Sequence, residues 1–232
     1  MQTVAVQATP YSWPHDGALA PEKTALLIID MQKDFCAEGG YVHHAGYDVD
    51  AARGLIPAIQ KVRAKLRDWG GLVIHTREGH RPDLSDLPPL KRWRSENAGA
   101  GIGSQGPLGK LLIRGEPGWE IVEPLCPEPD EPVIDKPGYS AFHATDLQQI
   151  LTVRGITHLI FAGVTTDICV NSTLREAVER GFECLTLSDC CAATDPENHA
   201  AALRTIVTEG GIFGAVATSK DLVLALSKAA PR

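Results

Sequence analysis

Three residues suited to acyl-transfer chemistry each stand at or just beyond the end of an apolar run. Asp30 ends TALLIID (24–30), Lys136 ends PVIDK (132–136), and Cys169 follows THLIFAGV (157–164) within the stretch GVTTDICVNSTLREA. A thiol attacks as its thiolate, an anion favoured by a neighbouring ammonium and by the start of a helix. A nearby carboxylate can take the thiol proton and later hand it to a leaving amine. Lys136 would hold Asp30 ionised, and backbone N–H groups around Thr165 and Cys169 would face the carbonyl oxygen of a bound amide as an oxyanion hole. Alone, a cysteine on the inner face of a helix is ordinarily a small hydrophobe. Alone, Lys136 reads as a solvated strand end, whereas an aspartate ending a buried run needs a partner. The coincidence of all three on one edge carries the catalytic reading.

Two other motifs compete. Gly101-Ile-Gly103-Ser-Gln-Gly106 matches G-x-G-x-x-G, but it follows a polar loop and opens no helix, so the dinucleotide fingerprint fails in context. HTREGH places His75, Glu78 and His80 near the end of a second apolar run, LVIHT (72–76). Glu78 and His80, with Asp86 as a third group, fall short of a full metal-ligand set, since the next histidine is His143. Structural or substrate-orienting roles are favoured, and neither metal nor cofactor is expected. No histidine is placed beside Cys169 by sequence, which ranks a Cys–His pair lower.

The apolar runs are short and rich in branched residues, as in strands covered on both faces. They alternate with helical patterns. Leu55, Ile59, Val62, Leu66 and Trp69 form one stripe that stops at Gly70-Gly71. Thr145 to Gln148 reads as a capping box, 168–180 as a helix opening near Cys169, and Asp195-Pro196 as a helix start. With ECLTLSD (183–189) and GAVATS (214–219), six strands separated by helices predict a parallel sheet with helices on both faces, a three-layer α/β sandwich of Rossmann-like type. Ligands of such sheets bind beyond the carboxyl ends of the strands. Residues 77–130 are rich in Pro, Gly, Arg and Trp and lack periodicity; short helices and loops covering a site are expected there.

The chain has 232 residues, 44% hydrophobic and 22% charged, enough for one large domain over 1–232, with 1–20 as an irregular arm. Its net charge of −7, with no run of five like charges, argues against nucleic acid or an anionic membrane as partner. No stretch approaches the roughly 20 apolar residues of a bilayer span. The start lacks the pattern of a signal peptide, so the six cysteines are expected as reduced thiols in a cytoplasm.

LLIIDMQKDF, DKPGYSAF and GVTTDICVNSTLREA resemble the isochorismatase-like cysteine hydrolase superfamily over residues 20–228. The resemblance implies that fold, a triad of Asp30, Lys136 and Cys169, and a cis peptide between Val164 and Thr165 that forms the oxyanion hole. Within the superfamily, HTREGHRPDLSDLPPLKRWR, GAGIG, RGEPGW and SDCCAATD look like biuret hydrolases. That likeness implies a metal-free amidohydrolase acting on a small linear ureide, biuret or triuret, and a homotetramer; the alternative is another amide hydrolase of the superfamily, of the ureidoacrylate or N-carbamoylsarcosine type or a nicotinamidase. The metal set of nicotinamidases is not reproduced, since Glu78 stands where an aspartate is expected. Phe35, Arg77, Glu78, Tyr139, Thr165 and Glu209 are the expected substrate contacts. Glu209 stands where glutamine is expected, and an ionised glutamate only accepts hydrogen bonds. In the pocket it would suit a longer ureide presenting N–H groups; the alternative is a capping or solvent-facing role.

Overall fold

The computed structural model describes residues 4–229. Its centre is a six-stranded, all-parallel sheet built from β1 (Thr24–Ile29), β2 (Leu72–Glu78), β3 (Val133–Lys136), β4 (His158–Val164), β5 (Glu183–Ala192) and β6 (Ala215–Ala217), in the order β3-β2-β1-β4-β5-β6. The continuous apolar run TALLII is a central strand, buried at every position.

Successive side chains of a strand point to opposite faces, and β1 divides accordingly. Leu26 and Ile28 pack with Ile59, Val62, Leu66 and Trp69 of α1 (Ile56–Trp69). Leu222, Ala225 and Leu226 of the C-terminal helix Ser219–Lys228 join the same layer. Ala25, Leu27 and Ile29 pack on the other face with Leu147, Leu151, Leu174, Ala177 and Ile206. Each such Leu or Ile contributes about 1.5–3 kcal/mol of burial, so both faces of β1 are strongly covered. Between β2 and β3 lies α2 (Pro89–Asn97), with a two-residue hairpin Gln105–Gly106/Gly109–Lys110 and short 3₁₀ turns. Short elements therefore cover the sheet edge, as the irregular composition of 77–130 implied. The remaining helices of eight residues or more are α3 (Leu147–Arg154), α4 (Asn171–Glu179), α5 (Pro196–Val207) and α6 (Ser219–Lys228), and three helical turns, Lys33–Cys36, Tyr41–His44 and Asp50–Gly54, precede α1.

The arm expected over 1–20 has its first three residues outside the described ones. Its described part is ordered by Trp13, wholly buried, and by an antiparallel bridge from Thr9 to Val216 that covers the β6 edge. Asp195 caps α5 through the Glu197 N–H, as its Asp-Pro start requires. The capping box expected at Thr145 to Gln148 does not form. Helix α3 begins at Leu147, Thr145 Oγ1 donates to the Ala141 carbonyl and accepts from the Leu147 N–H, and Gln148 turns to Thr152. A complete box stands instead at Thr218 and Asp221 of α6. Among the described residues no helix is long and apolar enough to cross a membrane, and the six cysteines are free thiols, five of them buried.

Candidate active site

Connections leave β1 toward β2 on one side and β4 enters on the other, so the strand order reverses between β1 and β4. Such a switch point opens a crevice beyond the carboxyl ends of the strands. Asp30 follows β1 there with φ of +51°, a left-handed conformation that short polar residues tolerate and that often accompanies function. Its N–H donates to Thr76 Oγ1 at 3.1 Å, and the same hydroxyl donates to Asp30 Oδ1 at 2.6 Å. Lys136 Nζ lies 2.7 Å from Asp30 Oδ2 and donates to the Gly138 carbonyl at 2.9 Å. Beside it in register, Glu78 places Oε2 3.4 Å from the same ammonium.

Glycine is required at position 163. Its φ is +109°, and a Cβ there would run into the Ile29 carbonyl where β4 closes on β1. The next peptide but one, Val164–Thr165, is cis as the resemblance implied. Beyond it the chain makes a π-helical turn over Thr166–Val170, with the Val170 N–H donating to the Thr165 carbonyl at 3.1 Å, before α4 begins at Asn171. The helix expected from 168 is thus preceded by a wider turn, and Cys169 sits inside that turn. His199 Nδ1 lies 2.8 Å from Thr166 Oγ1, tying the turn to α5. Cys169 Sγ donates to Glu78 Oε2 at 3.3 Å, and ligating atoms of Asp30, Glu78 and Cys169 all lie within 4.8 Å of one another.

The electrostatics correct one expectation. The Cys169 thiol is held well above its ordinary range, because complete burial and the carboxylates of Glu78 and Asp30 outweigh the pull of Lys136. The resting group is a thiol that donates its hydrogen, and it needs a base. Asp30 is raised above the ordinary carboxylate range by burial, which its ion pair with Lys136 only partly offsets and Glu78 reinforces. Burial would raise Glu78 as well, yet Lys136 and Lys91 hold it down at about 2. Lys136 Nζ stands against both carboxylates.

Of these groups Glu78 and Cys169 line a cavity of about 270 Å³, together with Phe35, Tyr41, Lys91, Arg94, Tyr139 and Thr165, and Asp30 and Lys136 lie behind them. Of the expected contacts, Phe35, Glu78, Tyr139 and Thr165 line it. Arg77 and Glu209 do not. Arg77 is the neighbour of Glu78 on a strand and points to the other face, where it stacks 3.5 Å above the Trp119 ring and pairs with Asp135 and Glu120. Glu209 is exposed in the turn Thr208–Gly210 between α5 and β6, at the amino ends of the strands and across the sheet from the cavity of its own chain. The HTREGH group also separates: His75 faces Glu131 at 3.1 Å and His80 faces Asp86 at 3.2 Å. Lys91, Arg94 and Tyr41 were missed by the sequence reading, because no hydrophobic periodicity in the sequence marks α2 or the short helical turn at Tyr41.

Residues 24–221 match the model of the isochorismatase domain family. The ureidoacrylate amidohydrolase RutB of Agrobacterium fabrum (strain C58) is 34% identical over 221 residues, covering 94% of this chain and 96% of that protein. Among solved structures, a cysteine hydrolase from Pseudomonas syringae pv. phaseolicola 1448A matches with a TM-score of 0.79 at 28% identity, covering 99% and 100% of the two chains. N-carbamoylsarcosine amidase from Thermoplasma acidophilum matches with a TM-score of 0.65 at 25% identity, covering 85% and 96%. The superfamily expectation stands, while the curated relative named above is a ureidoacrylate amidohydrolase where the segment resemblance pointed to biuret hydrolases. On the family match and the end-to-end relatedness together, the chain belongs to the isochorismatase domain family.

Proposed function

We propose that the protein hydrolyses the terminal carbamoyl C–N bond of a small linear ureide, H₂N–CO–NH–R, with Cys169 as nucleophile and Asp30 as its base. The observation that carries this reading is Glu78: a carboxylate kept ionised against the nucleophile accepts hydrogen bonds and donates none, which suits the N–H groups of a carbamoyl end. The cavity of about 270 Å³ lies at the small end of ligand sites.

Asp30 accepts the thiol proton as Cys169 sulfur bonds to the carbamoyl carbon. The carbonyl oxygen gains negative charge facing the Thr165 and Cys169 N–H groups. The C–N bond breaks, Asp30 returns its proton to the departing nitrogen, and ammonia leaves. Water, deprotonated by Asp30, then cleaves the thioester and the thiol regains its proton. Biuret would give allophanate and ammonia.

Two choices of R have support. An anionic R, as in ureidoacrylate, is favoured by the relatives and by Arg94, which lines the cavity with no carboxylate partner among the described residues. A neutral R, as in biuret or triuret, is favoured by the segment resemblance. Ammonia release from ureidoacrylate, biuret, triuret and nicotinamide, with wild type and Cys169→Ser, tests the reading. Turnover of a ureide that is lost in the variant supports it, and Arg94→Ala should raise KM for ureidoacrylate alone. Turnover of nicotinamide and of no ureide overturns it.

A further inference from the structure

Four ionisable side chains form an alternating row behind the cavity. Asp30 faces Lys136 at 2.7 Å, Lys136 faces Glu78 at 3.4 Å, and the other oxygen of Glu78 faces Lys91 at 2.6 Å. The side chains of Asp30 and Lys136 are fully buried, and those of Glu78 and Lys91 are 4% and 12% exposed, so the row is nearly dry. Three of its members come from strand ends; Lys91 alone comes from α2 of the covering segment.

Two carboxylates that share one ammonium away from water do not both ionise readily. With Lys136 alone the row would carry a net negative charge, and a proton would stay on one of the acids. Lys91 balances it at two acids and two cations. Its side chain is held in that position by three contacts. The ammonium donates to Glu78 Oε1 at 2.6 Å and to the Pro137 carbonyl at 2.8 Å, and lies 5.0 Å from the centre of the Tyr139 ring.

We propose that Lys91 is a positioning residue of the reaction, whose ammonium lets Asp30 and Glu78 be ionised together beside Cys169 and so leaves Asp30 free to take the thiol proton. The inference rests on the reading of Cys169 as nucleophile and Asp30 as base. Tyr41 and His80 also face Glu78 electrostatically, and Arg94 lines the cavity beside them. None of these three hydrogen-bonds Glu78 among the described residues, whereas Lys91 does.

The test is the acid limb of two pH profiles: kcat/KM for the preferred ureide, and substrate-free alkylation of Cys169 by iodoacetamide, read by mass spectrometry on the Cys169 peptide. In Lys91→Met both limbs should move up by about one pH unit or more, because two acids with one cation retain a proton longer. That is a loss of about tenfold at the foot of the limb beyond whatever change the alkaline plateau shows. Lys91→Arg should restore both limbs. The double variant Glu78→Gln with Lys91→Met should return them to within about half a unit of wild type, since one acid and one cation then remain. Lys91→Gln supplies the same reading should the methionine variant fold poorly. Limbs in Lys91→Met that superimpose on wild type overturn the proposal. A moved alkylation limb without ureide turnover in the wild type leaves the charge role standing and removes the ureide reading; ureide turnover with unmoved limbs does the reverse.

Discussion

The ammonium of Lys136 lies 2.7 Å from a carboxylate oxygen of Asp30, and neither side chain reaches solvent. Removing one member of such a pair strands the other, at a cost of about 3–5 kcal/mol. The two members differ in what remains. Without Lys136, Asp30 and Glu78 face each other with no ammonium between them; without the Asp30 charge, Lys136 keeps Glu78 at 3.4 Å. Lys136→Met should therefore lose about 3–5 kcal/mol of stability together with turnover. Asp30→Asn should unfold at a temperature nearer wild type while losing roughly 10²–10⁴-fold in kcat/KM, the range of a general acid–base group. Thermal melts and turnover of both variants check this, and an active Asp30→Asn enzyme would remove Asp30 from the chemistry.

Asp30 works as a base only when ionised, and burial raises its pKa above the ordinary carboxylate range. Activity is full above that raised pKa and falls as the pH drops through it, so the acid limb of kcat/KM should lie above the usual carboxylate range. Glu78 adds to the upward push. Glu78→Gln removes a negative charge beside Asp30 and should move the limb down by about half a unit to one unit. The plateau should drop as well, because the variant exchanges an ionised acceptor at the carbamoyl for a neutral amide. A limb that stays in place in Glu78→Gln would show that the two carboxylates are not coupled.

Arg77 and Glu78 are neighbours with opposite fates. The sequence reading assigned both to the substrate, but the pleat of β2 sends only one of them toward the site. Arg77 instead stacks on Trp119 and pairs with Asp135 and Glu120, joining β2 to β3 and the covering segment. Arg77→Ala should cost about 1–2 kcal/mol through lost packing and pairing, with KM changed less than about twofold. A large rise in KM at unchanged stability would return Arg77 to the binding site.

What the sequence made legible was whatever carries a local register. The apolar run before Asp30, the strand before Lys136 and the strand 157–164 before Cys169 followed from hydrophobic pattern and α/β alternation, and they place the three residues at one edge; the order of the strands did not follow from that pattern. That Glu209 stands away from the cavity of its own chain follows on the same grounds, since a turn between a helix and the next parallel strand lies at the amino ends of the strands. The π-helical turn was not legible, because an i to i+5 bond leaves no side-chain signature of its own. Lys91 was not legible either. It sits in PLKRWR, among positive residues of which only the fold shows which one meets a buried carboxylate.

Glu131 holds the opposite, amino end of the sheet, and its titration is coupled to folding stability. Its carboxylate accepts from Arg67 Nε at 2.5 Å and Nη2 at 2.7 Å, lies 3.1 Å from His75 Nε2, and accepts from the Glu128 N–H at 3.0 Å. Burial would raise this acid, but the bonds from His75, Arg67 and Glu128 hold it at about 2 against an ordinary 4.5. A folded-state pKa below the unfolded one means that the unfolded chain binds the proton more readily. The stabilisation is therefore complete above about pH 4.5 and is lost as the pH falls toward 2. Integrated over that interval it is about 3–4 kcal/mol, which solvent screening of a partly exposed cluster reduces to about 2–3 kcal/mol. Glu131→Gln should lower the unfolding free energy by about that amount at pH 7 and by progressively less below pH 4.5, so the two stability curves converge in acid. Urea melts between pH 7 and pH 3 measure the gap. A gap that is constant across the range would mean that Glu131 contributes through packing and not through its charge.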